Sequence, residues 1–213
     1  MQQFIIAGIG TEIGKTMVAS IFTEALEADY WKPIQSGGLD YTDSDQVRYL
    51  LSNSRSKTLP EAYRLQLPAS PHAAAEAENI TIDPTQLVPP STDNPNLVVE
   101  LAGGLMVPIT RHFLNIDLVK QLQKEVILVS RYYLGSINHT LLSFKILRQY
   151  HIPIKGIVFN GSKVESSKSV ILEYTNLPCL LEIDEHDKFT PSLVKHYATA
   201  LNQNLDNLHK GTL

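Results

Sequence analysis

The segment GIGTEIGKTM, from Gly8 to Met17, carries the residue types that bind phosphate. A common phosphate-binding loop has glycine, four variable residues and then Gly-Lys-Ser/Thr, whereas here five residues separate Gly8 from Gly14-Lys15-Thr16. In such loops the backbone N–H groups and the start of the following helix attract phosphate. The lysine reaches the β- and γ-phosphates, and the threonine hydroxyl binds Mg²⁺. The segment therefore predicts a nucleoside triphosphate site with one extra residue in its loop.

Acidic residues occur where they could complete a magnesium site. Glu100 ends the apolar run NLVVE, and a carboxylate at the end of a buried strand needs a partner. Magnesium is usually held by one or two carboxylates together with phosphate and water. The segment DYTDSD offers Asp45 as a further ligand, but Asp40 and Asp43 lie close by, and the residues alone leave the choice open.

The rest of the chain alternates apolar runs with amphipathic stretches that could position these residues. The runs typical of buried strands are FIIAG, NLVVELAGG, EVILVS, IKGIVFNG and LPCLLEI. The stretches typical of helices are KTMVASIFTEALEA, SINHTLLSFKILRQY, VESSKSVILEYT and SLVKHYATALNQNL. Three segments are less regular: DYWKPIQSGG predicts a short strand broken at Pro33, SDQVRYLLSN a helix capped by Ser44, and HAAAEAE a short helix within the irregular residues 54–95.

This alternation predicts an α/β fold with a doubly wound, mainly parallel sheet and helices on both faces. No repeat or linker divides the sequence, so we expect a single domain over residues 1–213. Ligands of such sheets bind at the carboxyl ends of the strands. Most of the candidate residues lie at such ends.

The composition excludes several classes of protein. The chain has 213 residues, 43% hydrophobic and 19% charged, which fits an ordinary globular core. A net charge of −4 gives no reason to expect nucleic acid or an anionic membrane as a partner. The single Cys179 excludes an internal disulfide. The first residues lack a basic region, and no apolar run approaches the roughly 20 residues needed to cross a bilayer, so we expect a cytoplasmic protein.

Seven segments, in order, resemble the dethiobiotin synthetases of biotin biosynthesis, ATP-dependent enzymes of the P-loop NTPase type. The segments are GIGTEIGKT, YWKPIQSG, DSDQ, SPHAAAE, VVELAGGLMVPI, LVSRYYLGSINHTLL and GIVFNG. The five-residue spacing between the loop glycines is that family's form of the loop. The resemblance implies conversion of 7,8-diaminononanoate, CO₂ and ATP to dethiobiotin, ADP and phosphate. The implied intermediates are a carbamate and a carbamic-phosphoric anhydride.

The resemblance also implies roles for individual residues. Lys32 would stabilise the carbamate and the charge that develops during phosphoryl transfer, with Lys15 and Thr11 as the other catalytic residues. Mg²⁺ would be bound by Thr16, Asp45 and Glu100. The nucleotide would be bound by Glu12, Ile13, Gly14, Lys15, Thr16, Met17, Asp45, Glu100, Leu101, Ala102, Gly103, Asn160 and Gly161. The diamine would be bound by Thr11, Lys32, Ser36, Gly103, Gly104 and Val107, with Asn138 and Tyr174 supplied by the second subunit of a homodimer.

One position departs from the family pattern, and one that follows the pattern has no assigned role. Leu101 replaces a glycine that the family usually has, so it would be strained if the backbone there has a positive φ, and would otherwise narrow the phosphate side of the site. His72 lies in the family segment SPHAAAE without a chemical role, and we expect it to be a packing or capping residue. The segment LEIDEH also differs from the family, which leaves the base contacts of Asp184 to His186 open.

Two other classes of function compete with this interpretation. One is a nucleotide-driven switch related to the partition and metallocofactor-insertion ATPases. Their loops carry an additional lysine where this chain has Ile9 and Gly10, which argues against a switch. The other is a non-catalytic nucleotide-binding relative, made inactive by Leu101. Against it, the chain has all four of the residues Lys15, Thr16, Lys32 and Glu100.

Overall fold

The computed structural model of the chain describes residues 1–210 and contains a central seven-stranded sheet. Its strands are β1 Gln3–Gly8, β2 Asp29–Trp31, β4 Thr58–Leu59, β6 Leu97–Gly104, β9 Glu125–Arg131, β10 Ile154–Asn160 and β11 Cys179–Ile183. They lie in the order β11-β10-β9-β1-β6-β2-β4, and every neighbouring pair is parallel. Two small pairs stand beside this sheet, β3 Ile34–Ser36 with β5 Tyr63–Leu65 and β7 Pro108–Thr110 with β8 Phe113–Leu114.

Helices cover both faces of the sheet. One face carries α1 Lys15–Leu26, α2 Asp43–Leu50 and α7 Pro191–His209. The other carries α3 Pro71–Ala77, α4 Asn115–Leu122, α5 Ser136–Gln149 and α6 Glu165–Thr175. On β1, Phe4 and Ile6 pack toward the first group and Ile5 and Ala7 toward the second, because successive side chains of a strand point to opposite faces. This architecture confirms the predicted doubly wound parallel sheet.

The carboxyl end of β1 is the point where the strand order reverses. The chain first adds β2 and β6 on one side of β1. It then connects through α4 to β9, which lies on the other side of β1. Such a reversal opens a crevice at the carboxyl edge of the sheet. The ends of β1, β6, β9 and β10 therefore meet around one opening.

The helix α2 begins two residues earlier than the sequence suggested. Its N-cap is Thr42, whose hydroxyl accepts a hydrogen bond from the Asp45 N–H at 3.1 Å, while the Asp45 carboxylate accepts one from the Thr42 N–H at 3.0 Å. These two bonds form a capping box. The prediction of Ser44 as the cap is therefore wrong.

The irregular residues 54–95 contain more structure than the sequence predicted. The short helix expected at HAAAEAE is present as α3, and the segment also holds β4, β5 and a 3-10 turn at Pro84–Gln86. Within residues 1–210, no helix has both the length and the apolar character that crossing a bilayer would require.

Candidate nucleotide and substrate site

A cavity of about 770 Å³ opens at the carboxyl edge of the sheet. Its walls are the loop before α1, the start of α2, residues 68–71, the ends of β6, β9 and β10, and residues 184–189. The lining residues that the sequence singled out as binding or catalytic are Thr11, Glu12, Gly14, Lys15, Thr16, Met17, Lys32, Ser36, Glu100, Ala102, Gly103, Val107, Asn160 and Gly161. The fold therefore brings most of the predicted residues to one opening.

The loop before α1 closes through two tight contacts at glycines. Gly14 has φ 90°, and a Cβ on it would lie 2.2 Å from Asn160 Nδ2, so only glycine fits there. A Cβ on Gly8 would lie 2.6 Å from Cδ1 of Ile13, whose side chain is buried below the loop. Asn160 Nδ2 donates a hydrogen bond to the Ile13 carbonyl at 2.9 Å. Ile13 thus faces the core with its side chain, and the extra loop residue is accommodated by a left-handed turn at Glu12, with φ 56°.

Lys15 is held inside the loop that it follows. Its side chain is nearly buried, and Nζ donates a hydrogen bond to the Gly10 carbonyl at 2.7 Å. Burial is the main reason that the Lys15 pKa is lowered to about 8; the nearby cation of Lys32 adds to this, and the anions Glu100 and Asp43 oppose it. A polyanion in the cavity would give this ammonium a much stronger partner than one carbonyl.

Glu100 is the centre of a buried polar cluster. Its side chain is 1% exposed and accepts hydrogen bonds from Thr16 Oγ1 at 2.9 Å and Tyr30 OH at 2.8 Å. Burial and the adjacent Glu100 raise the pKa of Tyr30 well above its usual value, so the phenol remains a donor. These bonds fix the carboxylate at the end of β6, directly beside the first residues of α1.

Lys32 lies between two carboxylates. Its Nζ is 3.3 Å from Glu100 Oε1 and also pairs with the Asp43 carboxylate. Burial disfavours the ammonium, but attraction to Glu100 and Asp43 outweighs burial and raises the Lys32 pKa. Lys32 is therefore a permanent cation at the point where the loop, β6 and α2 meet.

Asp45 does not belong to this cluster. Its carboxylate accepts from Thr42 in the capping box and pairs with Arg48 on the outside of α2, with N–O 2.8 Å. Asp43 lines the cavity instead and contacts Lys32. The structure therefore does not bring Asp45 to the predicted nucleotide and metal site, because the helix starts at Asp43 and turns Asp45 outward.

The oxygen donors at this point fit a magnesium ion. Thr16 supplies a hydroxyl, and Glu100 and Asp43 supply carboxylates that meet around Lys32. Within residues 1–210, no group of three or more His, Cys, Asp or Glu residues could hold a metal by protein ligands alone. Mg²⁺ usually takes one or two carboxylates and completes its shell with phosphate and water oxygens.

The opposite part of the cavity is polar and incompletely satisfied. The Ser36 hydroxyl is buried without a hydrogen-bond partner among the described residues. In a cavity wall, such a hydroxyl is available to hydrogen-bond a ligand. Gly103 and Val107 form the adjacent wall, where a Cβ on Gly103 would lie 3.0 Å from Val107 Cγ2 and 3.6 Å from Thr11 Oγ1.

Besides Ile13 and Asp45, four predicted site residues do not line the cavity. Leu101 has no positive φ, and its side chain is 1% exposed within the apolar cluster beneath α3 to α6, so the predicted strain or narrowing is wrong. Gly104 packs against the backbone of Gly8 and Gly10. Asn138 on α5 and Tyr174 on α6 lie outside the cavity of this single chain, and their assignment to a partner subunit stays a prediction.

In the wall beyond Asn160, sequence reasoning missed Arg131 and left the contacts of Asp184 to His186 open. Arg131, at the end of β9, donates to the Glu12 carbonyl at 3.2 Å and pairs with Glu185 at 3.0 Å, and Glu185 also accepts from Ser162 at 2.7 Å. His186 packs edge-on against Phe189, with ring centroids 5.3 Å apart. The position of these residues just after strand ends was the signal that could have found them.

Comparison with known proteins places these observations in a family. A family model described as an AAA domain matches residues 2–192. The ATP-dependent dethiobiotin synthetase BioD of Cytophaga hutchinsonii is 45% identical over 204 residues, covering 96% of this chain and 98% of the relative. The enzyme of the same name from Agrobacterium fabrum is 45% identical over 203 residues, covering 95% of each chain.

Solved structures resemble the fold at much lower identity. The septum site-determining protein MinD of Pyrococcus horikoshii, complexed with Mg-ADP, has a TM-score of 0.63 at 14% identity, covering 100% of this chain and 98% of that one. A putative plasmid partition protein of Borrelia burgdorferi bound to AMPPNP has a TM-score of 0.63 at 13% identity, covering 99% and 98%. At these identities the likeness concerns the fold alone.

Proposed function

The chain belongs to the family of ATP-dependent dethiobiotin synthetases, and we propose that its cavity closes the ring of dethiobiotin from 7,8-diaminononanoate, CO₂ and ATP. The observation that carries this proposal is the position of Lys32. A buried cation lies between Glu100 and Asp43, beside the phosphate-binding loop and in the same cavity as the unpartnered Ser36 hydroxyl. Such a cation suits a reaction in which one anion attacks another.

In the proposed reaction the enzyme acts by positioning and charge neutralisation. The loop N–H groups and Lys15 bind the triphosphate, and Lys32 stabilises the carbamate formed from one amine and CO₂. A carbamate oxygen attacks the γ-phosphate, ADP leaves, and a carbamic-phosphoric anhydride results. The second amine then attacks the carbonyl carbon, and phosphate leaves as the cyclic urea closes. Orienting the reactants in this way can lower the barrier by several kcal/mol without a covalent nucleophile from the protein.

Thr16, Glu100 and Asp43 are the residues that would hold Mg²⁺. Bound there, the ion supplies neutralisation of the phosphate charge. Lys32 contacts both carboxylates, so its ammonium group is placed to serve the carbamate. Asp43 takes the role that the sequence suggested for Asp45.

The proposal includes a homodimer in which Asn138 and Tyr174 contact the diamine of the neighbouring subunit. Exposed apolar side chains on and before α5 and α6 support it, among them Leu134, Leu142 and Val170. Isolated exposed apolar side chains need no explanation, but a set concentrated on adjacent helices suits a protein interface. A cytoplasmic location is part of the same proposal, since ATP is the co-substrate.

The proposal is tested by incubating the protein with 7,8-diaminononanoate, bicarbonate, Mg²⁺ and ATP and detecting the product by mass spectrometry. We expect dethiobiotin in a one-to-one ratio with ADP, and no dethiobiotin when the diamine is left out. ATP hydrolysis that proceeds without dethiobiotin would instead favour the nucleotide-driven switch. Nucleotide binding with neither product would favour the non-catalytic relative.

A further inference from the structure

Ser70 and His72 form a hydrogen-bonded pair at the wall of the cavity. Ser70 is the N-cap of α3, yet its hydroxyl makes no capping bond to the helix. The hydroxyl contacts His72 Nδ1 at 2.9 Å instead. Ser70 lines the cavity together with Ser36, whereas His72 lies behind it and is partly exposed. The expectation that His72 is a packing or capping residue leaves this pairing unexplained.

We propose that Ser70 and His72 relay a proton away from the amine that closes the ring, with Ser70 contacting the substrate and His72 accepting the proton behind it. This inference rests on the proposed dethiobiotin synthesis. It assigns a function to the segment SPHAAAE beyond that of a helix start. Ser70 would be the catalytic residue and His72 a residue that acts through it.

The chemistry of ring closure requires such an acceptor. The neutral amine donates its lone pair to the carbonyl carbon, a C–N bond forms, and the C–O bond to phosphate breaks with the electron pair leaving on phosphate. The attacking nitrogen becomes positively charged and must lose one proton. In the tautomer with its proton on Nε2, His72 accepts the Ser70 hydroxyl proton at Nδ1 while the Ser70 oxygen takes the proton from nitrogen. The exposed imidazolium then releases a proton to solvent.

Charged side chains lie near His72. Glu76 lies one turn further along α3, and its carboxylate interacts favourably with a protonated His72. Arg111, on the turn between β7 and β8, pairs with Glu76 at 2.7 Å and holds it at the surface. None of these three residues contacts Lys15, Lys32 or Glu100, so the pair is separate from the phosphate cluster.

The test is a single-turnover reaction that follows ADP and dethiobiotin separately, with ATP, 7,8-diaminononanoate and bicarbonate. Ser70→Ala removes the relay, and His72→Asn keeps an acceptor near the Nδ1 position but cannot take up a proton. For both variants we expect ADP formation within about twofold of the parent and dethiobiotin formation slowed by roughly 10²-fold, the usual scale for a general base. Added imidazole should restore part of the dethiobiotin rate in His72→Ala.

The matched control is His196→Asn, an exposed histidine on α7, which should leave both rates unchanged. Equal slowing of ADP and dethiobiotin, or full activity of His72→Asn, would overturn the relay and leave His72 as a residue that only orients Ser70. If the parent protein makes no dethiobiotin, the proposed function fails before the relay is tested. Melting temperatures of all variants identify any that fail to fold. The relay is then judged from the variants that fold, including imidazole rescue of His72→Ala.

Discussion

ATP binding should weaken as the pH rises, because the ligand-free loop holds Lys15 with a pKa of about 8. The usual value is 10.5, so burial displaces it by 10.5 − 8, roughly 2.5 pH units. At about 1.36 kcal/mol per unit, a triphosphate that restores the usual value gains at most about 3.4 kcal/mol from protonated Lys15. Above pH 8, Lys15 of the ligand-free protein is mostly neutral, so the protein must take up a proton when it binds ATP.

This linkage gives a defined slope. From about pH 7 to pH 9 the dissociation constant of a non-hydrolysable ATP analogue should rise about tenfold, roughly 1.4 kcal/mol. Lys32 does not contribute, because its pKa is raised and it stays charged across this range. Calorimetry near pH 8 in buffers of different ionisation enthalpy should show an uptake of about half a proton on binding.

The control is Lys15→Met, which cannot titrate at this position. It should bind the analogue weakly and with no dependence on pH above neutrality. A constant dissociation constant in the parent protein over the same range would refute the argument. So would the same slope in Lys15→Met, since another group would then be the one that titrates.

Three further predictions concern other parts of the site. Asp43→Asn should raise the Mg²⁺ concentration for half-maximal dethiobiotin synthesis at least about tenfold, while Asp45→Asn should leave it unchanged because Asp45 lies in the capping box of α2. The reverse outcome in metal titrations would restore Asp45 as the ligand. Lys32→Gln should lower kcat strongly but change the affinity for an ATP analogue by no more than about tenfold, because Lys32 acts on charge that develops during phosphoryl transfer. Lys15→Gln should lower both kcat and that affinity. Normal turnover of Lys32→Gln at saturating ATP would disprove the role of Lys32. Asn138→Ala should weaken diamine binding far more than ATP binding in parallel calorimetric titrations, and equal losses would count against an intersubunit site.

The sequence was most informative where one local pattern determines the geometry. The strand, loop and helix around Lys15 could be predicted because glycine spacing and apolar periodicity act over a few residues. Glu100 could be placed because it ends an apolar strand, and parallel strands bring their carboxyl ends together. These local signals also predicted the doubly wound sheet.

The choice between Asp43 and Asp45 could not be made in the same way. It depends on whether α2 starts after Thr42 or Ser44, and both residue types are good helix caps. Contact between Asp43 and Lys32 settles the start, and that contact joins separate elements of the chain. Leu101 was likewise undecided, because its cost depended on a backbone angle that no residue type reveals.

Interactions between distant residues were beyond the sequence altogether. Arg131 and Glu185 stand 54 positions apart, and nothing in either segment indicates the other. The unpartnered hydroxyl of Ser36 and the turn of Ser70 toward His72 are also properties of the packed cavity. Such features depend on how separate segments of the chain pack around the cavity, and the residues of one segment alone do not determine them.

The most direct test of the proposed chemistry is the transfer of oxygen from bicarbonate to phosphate. A single turnover with ¹⁸O-labelled bicarbonate, ATP and 7,8-diaminononanoate is stopped, and the released phosphate and dethiobiotin are analysed by mass spectrometry. If a carbamate oxygen attacks the γ-phosphate, the released phosphate carries one labelled oxygen and the dethiobiotin carbonyl carries the other. The label in the carbonyl also measures how much label was lost by exchange between bicarbonate and water. Phosphate whose new oxygen comes only from solvent, beside a labelled carbonyl, would contradict the account.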